Sequence, residues 1–113
     1  MKNDWVYDIE TYPNAFTIAL EHAQNGVRCA WEVSEWVNES SQIIRMMDYL
    51  KATSGRMVGF NNLGFDYPVL HLLYRMRTAD AATLYAKAQA IIASQELNRF
   101  QHQVYPSDRI VEQ

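Results

Sequence analysis

The hexapeptide Trp5-Val6-Tyr7-Asp8-Ile9-Glu10 decides the fold, because its aromatic and β-branched residues indicate a strand. Asp8 and Glu10 are two residues apart, so their side chains share one face of that strand, roughly 6.5–7 Å apart along the chain. Two carboxylates on a largely buried strand are unfavourable unless a cation compensates them, and Mg²⁺ and Mn²⁺ prefer such oxygen ligands. Taken alone, the pair is more typical of an edge strand that faces solvent, and it indicates a metal site only together with a further motif.

The residues that follow predict an antiparallel meander. Asn25-Gly26 is a hairpin signal, because this dipeptide accepts the positive φ angles of tight turns. The predicted segments are a turn at residues 11–14, a second strand at residues 15–22 and a third strand at residues 27–33.

Helical periodicity begins after the meander. Ser40 or Ser41 is expected to cap a helix that ends near Thr53, and Asp80 to cap another over residues 81–94. Between them we predict a buried parallel strand at residues 56–60, a loop at residues 61–64 and a helix at residues 66–76. Residues 109–113 resemble the opening of a further strand.

This order of elements predicts an α/β fold in which a right-handed crossover lays the fourth strand parallel to the first. Asp66 follows that fourth strand, so it is expected near Asp8 and Glu10. Three converging carboxylates are a typical arrangement for holding two ions about 3.5–4 Å apart, which activate water for attack on phosphorus. A plain helix N-cap is the alternative role for Asp66.

Two segments carry a resemblance to a known family. Residues 7–11 resemble the first exonuclease motif of family B DNA polymerases, an Asp-x-Glu-Thr strand. Residues 59–70 resemble the second motif, whose core is Asn-x-x-x-Phe-Asp. The motifs occur in the family's order, and the resemblance spans residues 5 to 76.

The resemblance implies one ribonuclease H-like domain of the DEDD exonuclease superfamily over residues 1–113, with a three-stranded meander, parallel strands and flanking helices. It implies a 3′→5′ exonuclease that hydrolyses DNA with two Mg²⁺ or Mn²⁺ ions. The implied metal-binding and catalytic residues are Asp8, Glu10 and Asp66. The implied contacts to the 3′-terminal nucleotide are Thr11, Asn61 and Phe65. The implied partners are the single-stranded 3′ end of DNA, with RNA left open, and a polymerase domain.

One feature of the family is missing. Its fourth carboxylate comes from a later Tyr-x-x-x-Asp or His-x-x-x-x-Asp motif, and neither spacing occurs here, since Asp108 stands three residues after Tyr105. We therefore expect a phage- or prophage-type, N-terminal fragment that binds metal weakly and cleaves poorly or not at all. The competing hypothesis is a non-catalytic remnant that binds nucleic acid or a partner protein.

Composition bounds the remaining possibilities. The net charge of −3 does not indicate a broadly basic nucleic-acid-binding surface, although bound metal ions would reverse the local field. Cys29 is the only cysteine, which excludes an internal disulfide. No run approaches 18 apolar residues and no signal-peptide pattern is present, so we expect no membrane span and a cytoplasmic location.

Overall fold

The computed structural model describes residues 2–113. These residues form a four-stranded mixed sheet and three α-helices. The strands are β1 (Asp4–Tyr12), β2 (Ala15–His22), β3 (Arg28–Ser34) and β4 (Arg56–Val58), and the helices are α1 (Ser40–Ala52), α2 (Tyr67–Met76) and α3 (Ala81–Glu96). A mixed sheet combined with helices confirms the predicted α/β class. Among residues 2–113, no helix is both long and apolar enough to cross a membrane.

The strand order is β3-β2-β1-β4. The first three strands are the predicted antiparallel meander, and Gly26 has the positive φ angle of 75° that its turn requires. The fourth strand pairs in parallel with β1, in a register that sets Trp5 opposite Met57. The crossover through α1 therefore returns the chain to the far side of β1.

One face of the sheet carries the core. Tyr7 and Ile9 of β1 share this face with Ile18 and Leu20 of β2, and all four are buried. The three helices supply the other half of the same hydrophobic cluster, in which α1 contacts β3 while α3 contacts β1 and β2. We call this the helix-covered face.

The opposite face of the sheet is exposed and is called the open face below. Val6 is 50% exposed, and Asp8, Ala19 and Ala30 are exposed as well. These residues line a shallow depression of about 560 Å³. The alternation of buried and exposed residues along β1 thus assigns Asp8 to the open face and Tyr7 to the core.

Several boundaries differ from the predictions. The first strand extends through Tyr12, because Thr11 and Tyr12 pair with β2. The fourth strand ends at Val58, and Phe60, which we expected within a buried strand, is 99% exposed. The predicted serine cap is absent, since α1 begins at Ser40 without a side-chain capping bond.

The connection from β4 to α2 is more ordered than the loop we predicted. It forms a π-helical turn, Asn62–Asp66, in which the N–H of Tyr67 donates to the carbonyl of Asn62. At the chain's end, the expected strand is reduced to one parallel bridge between Arg56 and Glu112. Its hydrogen bond runs from the N–H of Met57 to the carbonyl of Glu112, at 2.7 Å.

Candidate functional site

Asp8 and Glu10 lie on the open face, two residues apart on β1. Both side chains are exposed, so the strand does not bury them as the sequence suggested. Asp8 makes no side-chain hydrogen bond or ion pair to any of residues 2–113. Its carboxylate oxygens are therefore free to bind a cation from solvent.

Asp66 is held at the edge of β1. The pairing of β1 with β4 ends at Val6 and Val58, so the β1 edge beyond that point lacks a strand partner. The Oδ2 atom of Asp66 accepts a hydrogen bond from the N–H of Ile9 at 3.3 Å. This contact joins residues 57 positions apart and brings the Asp66 carboxylate close enough for the charge of Asp8 to raise its pKa.

The helix-capping role for Asp66 is wrong. Asp66 occupies the position before α2, but its side chain makes no capping hydrogen bond, and the carboxylate instead bonds to β1.

Asp66 is an unusually weak acid for an aspartate. Burial raises its pKa from 3.8 to about 6, and the neighbouring charge of Asp8 adds to the rise. The N–H of Ile9 acts in the opposite direction, because it stabilises the ionised form. A buried carboxylate near a second acid, compensated by the backbone N–H groups of Ile9 and of Asp66 itself, is an environment that a cation would stabilise.

Glu10 is not turned toward the other two acids. Its Oε2 atom accepts a hydrogen bond from the Tyr12 hydroxyl at 3.2 Å, and this carboxylate raises the pKa of Tyr12. Consistent with this, residues 2–113 contain no group of three or more acidic, histidine or cysteine side chains arranged to hold a metal ion. To stand with Asp8 and Asp66, Glu10 would first have to rotate its exposed side chain away from Tyr12.

The three residues expected to contact the 3′-terminal nucleotide, Thr11, Asn61 and Phe65, lie in different surroundings. Thr11 is an even number of residues from Tyr7 and Ile9 on β1, so its side chain lies on the face opposite that of Asp8. Only the backbone of Thr11 is therefore available at the open face. Phe65 is half-buried and packs against the hydrophobic core.

Asn61 is exposed and adopts a left-handed conformation with φ of 61°. Its carbonyl accepts a hydrogen bond from the N–H of Phe65 at 3.0 Å. Its amide lies over Gly64, where an added Cβ would stand 2.8 Å from the Asn61 Oδ1 atom. The absent side chain of Gly64 thus makes room for the Asn61 amide.

A polar network behind the site was not predicted. The hydroxyl of Tyr7 donates to Gln113 Oε1 at 2.8 Å, and the Asn62 amide donates to the same oxygen at 2.9 Å. Burial, followed by the charge of Asp66, raises the pKa of Tyr7, which keeps its hydroxyl protonated as a donor. Asn62 lies in the segment that we predicted only as a loop. No local sequence signal connects Gln113 to Asn62, which is 51 positions away, or to Tyr7, which is 106 positions away.

Asp108, the late acid of the chain, lies elsewhere. It lines a cleft together with His71, Arg75 and Tyr105. It therefore does not supply a fourth carboxylate to Asp8 and Asp66.

Comparisons with protein-family profiles, with curated proteins and with solved structures each find no match to this chain.

Proposed function

We propose that the chain is a ribonuclease H-like 3′→5′ exonuclease domain, of the type that family B DNA polymerases carry, whose carboxylates bind Mg²⁺ or Mn²⁺. The observation that supports this most directly is the meeting of Asp66 with β1 beside Asp8, through the hydrogen bond to Ile9. The two residues come from the two sequence motifs that carry the resemblance. The order of the strands, with a meander and a parallel fourth strand beside the first, is compatible with that fold.

Each residue has a distinct task in this proposal. Asp8 offers carboxylate oxygens without a competing protein partner, and Asp66 is ionised above pH 6 and ready to bind a cation. Glu10 becomes the third carboxylate ligand once its side chain has rotated away from the Tyr12 hydroxyl. Ions held by these carboxylates would activate a water and stabilise the departing 3′ oxygen. Asn61, on its exposed turn, contacts the terminal nucleotide.

A second candidate function is a non-catalytic nucleic-acid- or protein-binding module. It is favoured by one specific observation: Asp108 lines a cleft with His71 and Arg75 rather than lying beside the acids of β1. Without a fourth carboxylate, metal affinity and turnover are expected to be low.

The test is cleavage of a 5′-labelled single-stranded oligodeoxynucleotide with Mn²⁺, resolved on a sequencing gel. We expect slow, stepwise shortening from the 3′ end that disappears in Asp8→Asn and in Asp66→Asn. Glu35→Gln removes the same charge from an exposed residue before α1 and should leave the ladder unchanged. Shortening that survives Asp8→Asn, or no shortening with any divalent metal, contradicts the nuclease. A 2′-hydroxyl-bearing oligonucleotide run in parallel distinguishes RNA from DNA as the substrate.

A further inference from the structure

Strand β3 forms one end of the sheet, so one of its edges has no neighbouring strand. The chain itself covers half of that edge. The carbonyl of Glu32 accepts a hydrogen bond from the N–H of Glu39 at 2.9 Å, and the N–H of Glu32 donates to the Glu39 carboxylate at 3.1 Å. The N–H of Ser34 donates to the carbonyl of Val37 at 2.6 Å. The segment after β3 therefore shields the C-terminal half of its outer edge.

The N-terminal half of the same edge is uncovered. Backbone groups in an antiparallel strand point alternately to its two sides, so Arg28 and Ala30 direct their N–H and C=O groups outward, as Glu32 does. Within residues 2–113, none of these groups of Arg28 and Ala30 has a hydrogen-bond partner. A row of unpaired donors and acceptors is a template for another strand, and proteins usually shield such edges. Arg28 and Ala30 thus form a short, unshielded pairing site.

We propose that this edge of β3 pairs with the same edge of a second copy of the chain, antiparallel and about a two-fold axis. One register uses every free group: Arg28 lies opposite the partner's Ala30, and Cys29 lies opposite the partner's Cys29. A shift by one pair in one direction would bring in Glu32, whose edge groups are already bonded to Glu39. The opposite shift would bring in Gly26, whose N–H donates to the carbonyl of His22 at 2.9 Å.

The side chains fit this register. It sets Val27, which is 54% exposed, opposite the partner's Trp31, and an aromatic ring paired with a β-branched side chain stabilises a sheet. Trp31 lines a cavity of about 350 Å³ between the sheet and α1, together with Trp5 and Tyr49, so the partner's Val27 adds to an apolar surface. On the open face, the small side chain of Ala30 leaves room for the partner's Arg28.

The pairing is short, and this sets its strength. It engages residues 27–31 of each copy, whereas a stable interface uses about 20–30 residues a side, so the dimer is weak and forms only at high protein concentration. The two-fold axis is perpendicular to the sheet, so the open faces of both copies lie on the same side. Asp8, Ala19 and Ala30 are neighbours across the strands, and the two Asp8 side chains therefore stand roughly 24 Å apart across the joined sheet.

The experiment is sedimentation velocity over a wide range of protein concentrations, in EDTA and a thiol reductant. The wild type should pass from monomer to dimer as the concentration rises. Ala30→Pro removes an outward N–H at a position where an edge strand tolerates proline, so this variant should stay monomeric at every concentration. Ala30→Ser is the matched control, because it keeps the N–H and should dimerise as the wild type does.

A second pair of variants tests the side-chain contact. Val27→Lys sets a charge opposite the partner's Trp31 and should weaken dimerisation by about tenfold. Val58→Lys, changed at an exposed valine of β4 at the other end of the sheet, should leave dimerisation unchanged. Circular dichroism checks that each variant is folded. If Ala30→Pro is not folded, the comparison of Val27→Lys with Val58→Lys decides.

Cys29 reports the register. Residues that face each other without exchanging hydrogen bonds in an antiparallel pair have Cα atoms about 4.5 Å apart, a separation that a disulfide can bridge. Diamide, used at mildly alkaline pH because burial raises the pKa of the Cys29 thiol, should convert the wild type to a covalent dimer on a non-reducing gel. Ala30→Pro should remove most of this product. Cys29→Ser combined with Thr78→Cys, which moves the thiol to an exposed position between α2 and α3, should give little dimer.

The pairing is overturned if the wild type is monomeric at every concentration, if Ala30→Pro and Val27→Lys leave the dimer intact, or if Val27→Lys and Val58→Lys weaken it equally. A dimer that these variants weaken as expected, but that diamide does not link through Cys29, overturns the register. Neither assay contains nucleic acid or a divalent metal, so the pairing does not rest on the proposed exonuclease function and its result stands whatever the cleavage assay shows.

Discussion

The Asp66 carboxylate accepts a hydrogen bond from the backbone N–H of Ile9 at 3.3 Å, on the edge of β1 that β4 leaves unpaired. This bond fixes a buried acid beside Asp8 and partly offsets the cost of burying its charge. The opposing effects of burial and of the backbone donors on the Asp66 carboxylate set the behaviour of the site with pH and with metal.

Asp66→Asn should stabilise the metal-free protein at pH 7.5. The folded-state pKa of about 6 lies above the ordinary value of 3.8, so the folded protein holds this proton more tightly than the unfolded chain. The resulting stabilisation is complete below pH 3.8 and is lost as the pH rises through 6. Asparagine cannot ionise, so we expect the variant to be more stable by roughly 1–3 kcal/mol at pH 7.5, with the difference vanishing near pH 4.

Urea denaturation in EDTA at a series of pH values measures this difference. The Glu35→Gln variant, changed at an exposed position, serves as the control. Its free energy of unfolding should equal that of the wild type at every pH. A variant at position 66 that is less stable than the wild type at pH 7.5 would show that the buried charge is already compensated.

Metal binding should depend on the same proton. A divalent cation must displace the proton from Asp66 below pH 6, so the apparent affinity for Mn²⁺ should fall about tenfold for each further unit of acidification. Titration calorimetry at pH 5 and pH 7.5, in two buffers of different ionisation enthalpy, reports both the affinity and the released proton. An affinity that does not change between these pH values would place the ion away from Asp66.

Gln113→Ala should destabilise the fold. The Tyr7 hydroxyl and the Asn62 amide would both lose their shared acceptor, and leaving a buried hydroxyl unpaired costs roughly 1–3 kcal/mol. Gln101→Ala removes an exposed hydrogen bond to Ser94 and should cost far less. In a double-mutant cycle, Tyr7→Phe should lessen the cost of Gln113→Ala, and strictly additive effects would argue against the network.

Asn61 allows the roles of backbone and side chain to be separated. Its φ of 61° is accessible to glycine without strain, whereas alanine in this conformation costs about 1–2 kcal/mol. Asn61→Gly should therefore retain thermal stability, and Asn61→Ala should lower it. Under the proposed function both variants lose the amide, so both should shorten the 3′ end more slowly. Wild-type cleavage in Asn61→Gly would leave this residue only a turn role.

Part of the site's surroundings was predictable because it depends on neighbours in sequence. Asp80 caps α3, and its Oδ1 atom accepts a hydrogen bond from the N–H of Thr83 at 2.8 Å, as its sequence position suggested. The alternation along β1 also predicted that Asp8 and Glu10 share a face. It did not reveal that this face is open, since exposure depends on where the helices pack.

The sequence by itself determined the meander, the helices, two acids on one face of β1 and a third acid just before α2, because turns, caps and periodicity act over a few residues. Only the tertiary structure decided that Asp66 bonds to Ile9, that Glu10 turns to Tyr12 and that Gln113 joins Tyr7 to Asn62. Contacts over 57 or 106 positions in the chain depend on strand pairing and on the competition of nearby donors and acceptors, which no local pattern encodes.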